Sequence, residues 1–236
     1  MRYYDVYGQN LTMENVRNSF NPYRYGYILE ISVQNGLSST ATKHYAMGRR
    51  ANELAYVMPD RRTVYMTDDG TNTMMTRFVA DQEGDLTSGQ LYIARFEQIS
   101  SENGGEFTIS WIDLGHTSDE EMRDHIESGI TFSDIFEFED LNSNSECSPG
   151  FTSINQNSFG PECLRLRENM EIVASRLETR RYGAMLGGTT EFSKMEGFTF
   201  DEKRQRAYVS LSSIRYGMED FERKGHADAS HDLGGQ

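Results

Sequence analysis

The chain has 236 residues, with 23 Lys and Arg against 37 Asp and Glu, so its formal net charge is −14. This acidic balance disfavours nucleic acid or an anionic membrane surface as the main partner, because both bind through basic faces. Bulky side chains are nevertheless plentiful, with 13 Phe, 13 Tyr and 12 Met, so we expect a folded core rather than a disordered chain.

Residues 53–97 contain the clearest pattern, four short runs of β-forming residues separated by turn signals. The runs are 54–58, 63–67, 75–79 and 90–96, and the turns contain Pro-Asp, Asp-Gly and Gly-Asp pairs. Four strands in about 45 residues match the size of one β-propeller blade, although a four-stranded meander in a sandwich has the same pattern.

A strand–turn–strand unit occurs twice. Glu53 is followed 12 residues later by Tyr65, and Glu196 is followed 12 residues later by Tyr208, with an acidic turn and basic residues between them in both cases. The two units begin 143 residues apart, at 53 and 196, which exceeds one blade. The repeat therefore predicts an insertion or a further blade between them.

The intervening segment is mixed. Residues 107–112 alternate as in a strand, and Ser118 with Glu121 forms a capping-box pattern for a short helix that Gly129 should end. Residues 117–140 carry nine acidic residues and one basic residue, which we interpret as a solvated face rather than a binding site.

Residues 163–186 show apolar residues at helical spacing and predict one helix, with Arg180 and Arg181 near its C-terminal end. We treat residues 117–186 as an insertion with helices and a cysteine loop. Residues 1–236 are then one mainly β domain, part of a β-propeller with about two blades of repeats and inserted helices.

The only cysteines are Cys147 and Cys163, separated by a segment rich in Gly, Ser, Asn and Pro. No Cys-x-x-Cys pair and no His at zinc-finger spacing accompany them, which argues against a structural zinc site. The pair is either a disulfide of an oxidising compartment or two free thiols of a reducing one, and the spacing does not decide between these.

Glu53 and Glu196 occupy the same position, at the start of the first strand of each unit. That strand lines the central channel of a propeller, so the two carboxylates would converge on its axis. Converging carboxylates repel each other unless a cation lies between them, and oxygen ligands suit Ca²⁺. The alternative is that each glutamate caps its strand or pairs with a local base such as Arg49 or Lys194.

Other candidates for chemistry are few. Asp68 and Asp69 could add metal ligands, but an Asp-Gly pair with Gly70 is also a common hairpin turn. The sequence has no His-Glu-x-x-His array, Gly-x-Ser-x-Gly elbow or P-loop, so it supports neither a serine hydrolase nor a nucleoside triphosphatase.

Several segments resemble the PhoX-type alkaline phosphatases: residues 20–27, 52–57, 64–71, 77–81, 177–182, 185–187 and 194–197. The resemblance implies a secreted β-propeller that hydrolyses phosphate monoesters, with calcium and iron held by carboxylates on the axis. Glu53 and Glu196 fall on positions of the metal-ligand type. Arg77 becomes a candidate phosphate contact, with a plain strand-edge arginine as the alternative.

The chain also departs from this pattern. A family strand with a cysteine beside acidic iron ligands should precede Phe20 and has no counterpart, and Cys147 and Cys163 do not replace it. Residues 1–6 contain no apolar stretch of a signal peptide, and later blades are missing, so we expect an excerpt of a larger protein. If the parent is exported to the periplasm or the cell exterior, as the resemblance implies, the two cysteines should be linked.

The leading hypothesis is a metal-dependent phosphomonoesterase that acts on a small phosphate ester. One alternative is a calcium-stabilised propeller that binds a ligand without catalysis, and another is a propeller lactonase. We expect a monomer with no nucleic-acid partner and no membrane insertion, since no apolar run approaches the ~20 residues of a membrane helix.

Overall fold

The computed structural model describes residues 12, 20–34, 36, 38–156, 160–214 and 216–218. The strands in chain order are β1 (Ile28–Gln34), β2 (Ser38–His44), β3 (Asn52–Val57), β4 (Thr63–Asp68), β5 (Thr71–Thr73), β6 (Met75–Gln82), β7 (Asp85–Ser100), β8 (Glu106–Ser118), β9 (Phe136–Glu139), β10 (Thr152–Ile154), β11 (Glu162–Leu166), β12 (Phe192–Ser193), β13 (Met195–Asp201) and β14 (Arg206–Leu211). The α-helices are α1 (Asp119–Glu127), α2 (Phe132–Ile135), α3 (Glu171–Leu177) and α4 (Thr179–Met185), and short 3-10 segments cover Pro22–Arg24, Glu102–Gly104 and Tyr216–Met218.

A five-stranded antiparallel sheet, in the order β3-β4-β6-β7-β8, forms the centre of the fold. It contains the four predicted strands and the predicted strand at 107–112, so these predictions are confirmed. Its first turn is held by Asp60, whose Oδ1 accepts hydrogen bonds from the backbone N–H groups of Arg62 and Thr63. The chain is mainly β, but no closed propeller forms within the described ranges, and the propeller stays a prediction.

One face of this sheet packs against the helices. Val64, Phe78 and Leu91 lie side by side across β4, β6 and β7 and are fully buried in this first core. Helix α4 approaches closely, because a Cβ added at Gly183 would lie 2.5 Å from Cδ1 of Ile93. A larger residue at position 183 would therefore push α4 away from the sheet.

The other face packs against the β13–β14 hairpin in a second core. The Phe198 ring lies 5.1 Å, centroid to centroid, from the rings of both Tyr56 and Tyr65. Tyr65 in turn lies 5.8 Å from the ring of Trp111. The two repeated units are therefore packed against each other through aromatic side chains.

The predicted short helix is confirmed as α1, and its N-cap Ser118 accepts a hydrogen bond from the Glu121 N–H at 3.2 Å. Six of the nine acidic residues in the segment 117–140 are solvent-exposed, as expected, and Glu137 and Glu139 are half-buried. Asp119 is the buried one, and its carboxylate accepts hydrogen bonds from His44 and from the Ala46 N–H.

The predicted single helix over 163–186 is wrong. Cys163 and Leu164 belong to β11, where they pair with β9, and the chain then forms α3 and α4 with a break at Glu178 (φ −130°, ψ 45°). Arg180 and Arg181 consequently lie in the first turn of α4 rather than near a C-terminal end. Helical spacing cannot reveal this, since the strand depends on a partner about 25 residues earlier in the chain.

The segment 117–186 contains helices and a cysteine loop, as predicted, while its status as an insertion and the single-domain assignment stay predictions. A disulfide links Cys147 to Cys163, whose Cα atoms lie 5.5 Å apart. Residues 1–6 and nearly all of the segment before Phe20, where we predicted no export signal and no iron-binding strand, lie outside the described residues. None of the described helices is long and apolar enough to cross a membrane.

Candidate functional site

Glu53 and Glu196 occupy equivalent positions in the fold as well as in the sequence. Each is the second residue of its strand, β3 or β13, and each lies at a β-bulge. The pairing steps from Asn52–Asp68 to Leu54–Thr67 around Glu53, and the β13–β14 pairing shifts in the same way around Glu196. A bulge changes the direction in which the side chain of the extra residue points, and in both hairpins that residue is a glutamate.

The two glutamates lie side by side. Partial desolvation raises the pKa of Glu53 above its ordinary value, and the charges of Glu196 and Asp69 and a hydrogen bond with Glu196 raise it further. Carboxylates this close favour sharing a proton or a cation. The structure therefore brings together three of the four predicted metal-ligand residues.

Lys194 supplies a cation to this cluster from within the chain. Its Nζ lies 2.5 Å from Asp69 Oδ1 and 3.6 Å from Glu196 Oε1. The hydrogen bond between Lys194 and Asp69 lowers the pKa of Asp69 and raises the pKa of Lys194. The alternative of a local basic partner is thus realised for Glu196, while Arg49 lies 3.9 Å from Glu178.

Asp68, the fourth predicted ligand, is fully buried and ion-paired. Its Oδ2 accepts a hydrogen bond from Arg180 Nε at 2.7 Å. Burial raises the pKa of Asp68 despite the opposing charges of Arg180 and Arg50. Asp68 Oδ1 and the Oδ1 of Asn52, directly across the β3–β4 ladder, are both buried and accept no hydrogen bond from the described residues.

These donors are oxygen atoms, the kind of ligand that a hard divalent cation takes. Glu53, Glu196 and Asp69 offer carboxylate oxygens, and the buried Oδ1 atoms of Asp68 and Asn52 have unused acceptor capacity. Among the described residues, however, no three His, Cys, Asp or Glu side chains are already grouped as a metal site. The disulfide links both cysteines, so neither offers a thiolate ligand to iron.

Arg77 lies elsewhere on the central sheet. Its guanidinium is 4.6 Å from the ring centroids of both Tyr92 and Trp111. Its Nε is buried without a hydrogen-bond partner in the part of the chain that the structure describes. Arg77 is therefore an arginine stacked on aromatic rings of the sheet. Its predicted contact with phosphate remains a proposal.

The sequence analysis missed a group of arginines beside this site. Arg49 and Arg50, which precede β3, lie with Arg180 and Arg181 of α4 around one cavity of about 270 Å³. Two Arg-Arg pairs in an acidic chain are a visible signal in the sequence. Only the fold shows that they face one another across about 130 residues of chain.

A family model, alkaline phosphatase PhoX, matches residues 2–231. A search of the curated proteins and a search of the solved structures each gave no match. The family match spans nearly the whole sequence and includes both glutamate-bearing hairpins. On this evidence the chain belongs to the PhoX family of alkaline phosphatases.

Proposed function

We propose that this chain carries part of the catalytic site of a calcium-dependent phosphatase that hydrolyses small phosphate monoesters. The observation that carries the proposal is that Glu53 and Glu196 are adjacent. Both lie at equivalent bulges of two hairpins that pack against each other, in a chain that belongs to the PhoX family. Neighbouring ionised carboxylates repel each other, and a divalent cation bound between them offsets that repulsion.

Each residue of the cluster has a distinct part in the proposal. Glu53 and Glu196 hold the cation, and Asp69 adds a third oxygen ligand. When bound, calcium supplies charge neutralisation for the phosphate group and an activated water. Lys194 keeps a positive charge beside the site, and Ser212 orients Glu196 by donating a hydrogen bond from Oγ to Oε1 at 2.8 Å.

Two other predicted roles remain proposals at this site. Asp68 would contribute its free Oδ1 while Arg180 holds Oδ2, and Arg77 would contact substrate phosphate only if it leaves its position between Tyr92 and Trp111. We assign no step to iron. Export of the parent to the periplasm or cell exterior is proposed from the resemblance, and the disulfide is compatible with it.

The test is hydrolysis of 4-nitrophenyl phosphate by the purified protein, with chelator and after calcium is restored. We expect turnover that chelator abolishes and calcium restores. Glu196→Gln should abolish it, whereas Glu202→Gln, an exposed position in the turn of the same hairpin, should not.

The same experiment separates the alternatives. Calcium-dependent stability with no turnover would contradict the proposal and support a binding module without catalysis. Turnover of lactones but not of phosphate esters would instead support a lactonase. Turnover that persists in chelator would refute the metal-dependent mechanism.

A further inference from the structure

The β1–β2 hairpin is exposed along most of its length and anchored at its base. Residues 29–34 of β1 and 38–41 of β2 are all exposed. At the base, Ile28 packs against the first core, and the Gly26 carbonyl oxygen accepts a hydrogen bond from the Arg50 N–H at 2.9 Å. A two-stranded hairpin alone is at best marginally stable in water. Its order therefore depends on the contacts that hold its base to the rest of the fold.

His44, the last residue of β2, lies at this base between two carboxylates. Only 1% of it is exposed. Its Nε2 lies 2.9 Å from Oε2 of Glu30 on the neighbouring strand β1, and its Nδ1 lies 3.0 Å from Oδ2 of Asp119 in the first turn of α1. The imidazole ring thus connects the hairpin to the helix.

These two contacts match a charged ring. An ionised carboxylate only accepts hydrogen bonds, and a neutral imidazole has a single N–H donor, so only the imidazolium can donate to Glu30 and Asp119 at once. Burial lowers the pKa of His44, but the hydrogen bonds with Asp119 and Glu30 outweigh burial, and the pKa lies above its ordinary value of 6.5. The ring is therefore charged at about pH 6 and loses a proton as the pH rises through the raised pKa.

The two carboxylates differ in their access to water. The Asp119 side chain is 6% exposed, and its Oδ1 also accepts a hydrogen bond from the Ala46 N–H at 2.7 Å. The Glu30 side chain is 44% exposed. A buried carboxylate without a donor is costly, whereas an exposed one gains hydrogen bonds from water. The neutral ring therefore keeps its proton on Nδ1, facing Asp119, and its Nε2 lone pair faces Glu30.

Two other charged groups lie near the ring. Hydrogen bonds from Thr87 lower the pKa of Asp85, at the start of β7, and the charge of His44 lowers it further. Arg61, in the β3–β4 turn, lines the same cavity as His44 and is paired with Glu83 at 3.2 Å. Neither Asp85 nor Arg61 forms a hydrogen bond with the ring within the described residues, so the two carboxylates bonded to the ring determine where its proton lies.

We propose that His44 is a proton-operated latch for the β1–β2 hairpin. With both ring nitrogens protonated, it joins Glu30 of the hairpin to Asp119 of α1. Loss of the Nε2 proton to solvent leaves a lone pair facing a carboxylate, so Glu30 turns into water and the hairpin loosens. A cavity of about 380 Å³, between Ile28 of the hairpin and Ala55 of β3, then widens. The latch needs no metal and does not depend on the proposed catalytic function.

The test is amide hydrogen exchange of the full chain at about pH 6 and about pH 9, with the rates corrected for the intrinsic effect of pH. We expect the protection of the hairpin amides to fall about tenfold between the two conditions, the factor that a charge-assisted hydrogen bond supplies. Strand β6, inside the five-stranded sheet, is the internal reference and should keep its protection.

Two variants separate the latch from a general effect of pH. Glu30→Gln introduces an amide that can accept from the imidazolium and donate to the neutral ring, so the protection of the hairpin should become nearly independent of pH. His116→Gln is the matched control, because His116 also contacts a carboxylate, Asp81 at 2.9 Å, but its side chain is 52% exposed. This control variant should retain the tenfold change.

Nitrogen-15 NMR of the His44 ring gives a second measurement. At about pH 6 both ring nitrogens should carry protons, and at about pH 9 only Nδ1 should. A proton that remains on Nε2 at the higher pH would overturn the proposal. Hairpin protection that does not change with pH would also overturn it, as would a change of equal size in the Glu30→Gln variant, since the hairpin would then respond to another group.

Discussion

Replacing Phe198 with leucine should weaken the junction between the hairpins that carry Glu53 and Glu196. Phe198 is only 8% exposed, and its ring contacts Tyr56 and Tyr65 at 5.1 Å each. An aromatic pair contributes about 0.5–1.5 kcal/mol beyond its buried area. Losing two pairs should therefore lower the free energy of unfolding by about 1–3 kcal/mol.

The matched control is Phe138→Leu, at a position that is 62% exposed with one neighbouring ring, Phe132, at 5.7 Å. We expect it to cost about 0.5 kcal/mol, as surface substitutions usually do. Urea titration followed by the fluorescence of Trp111, the single tryptophan, reports on the junction directly because Tyr65 lies beside it. Equal losses for the two variants would refute the inference that Phe198 joins the hairpins.

Two further predictions concern other parts of the fold. Both ring nitrogens of His44 contact carboxylates, of Glu30 at 2.9 Å and Asp119 at 3.0 Å, and although burial lowers its pKa, these hydrogen bonds raise it overall. The interaction should stabilise the fold fully below the ordinary His pKa of about 6.5, and this stabilisation should fade as the pH rises through the raised pKa. Unfolding midpoints at about pH 6 and about pH 9 should therefore differ more in the unmodified chain than in the His44→Gln variant. Identical pH profiles for the two proteins would contradict this prediction. The Cys147–Cys163 disulfide joins residues 16 positions apart, and reducing it should lower the free energy of unfolding by about 3 kcal/mol. Mass spectrometry that finds two alkylatable thiols in natively folded, exported protein would contradict the linkage.

The strands were predictable from the sequence because their signals are local. Alternating β-forming residues and the Asp60 turn suffice to define the β3–β4 hairpin. The match between this hairpin and the second unit is enough to single out Glu53 and Glu196 by sequence alone. What the repeat could not show is that Lys194 lies between Asp69 and Glu196, since that contact joins residues 125 positions apart.

The helix prediction that failed, and the surroundings of Asp68 that the sequence left open, have the same physical cause. Residues 163–166 have helical spacing but form a strand, because β9 and β10 offer them backbone partners on both sides. Likewise, the sequence could not show that β4 buries Asp68 beside Arg180. Both outcomes depend on tertiary contacts that no local pattern encodes.

The most direct test of the central claim, that the two glutamates converge on one cation, is a double-mutant cycle. The measurement is the rise in the unfolding midpoint that calcium causes in four proteins: the unmodified chain, the Glu53→Gln variant, the Glu196→Gln variant and the double variant. If the carboxylates share a cation, each single variant should lose most of the calcium effect and the double variant little more. Independent, additive losses, or a calcium effect that survives in all three variants, would contradict a shared site.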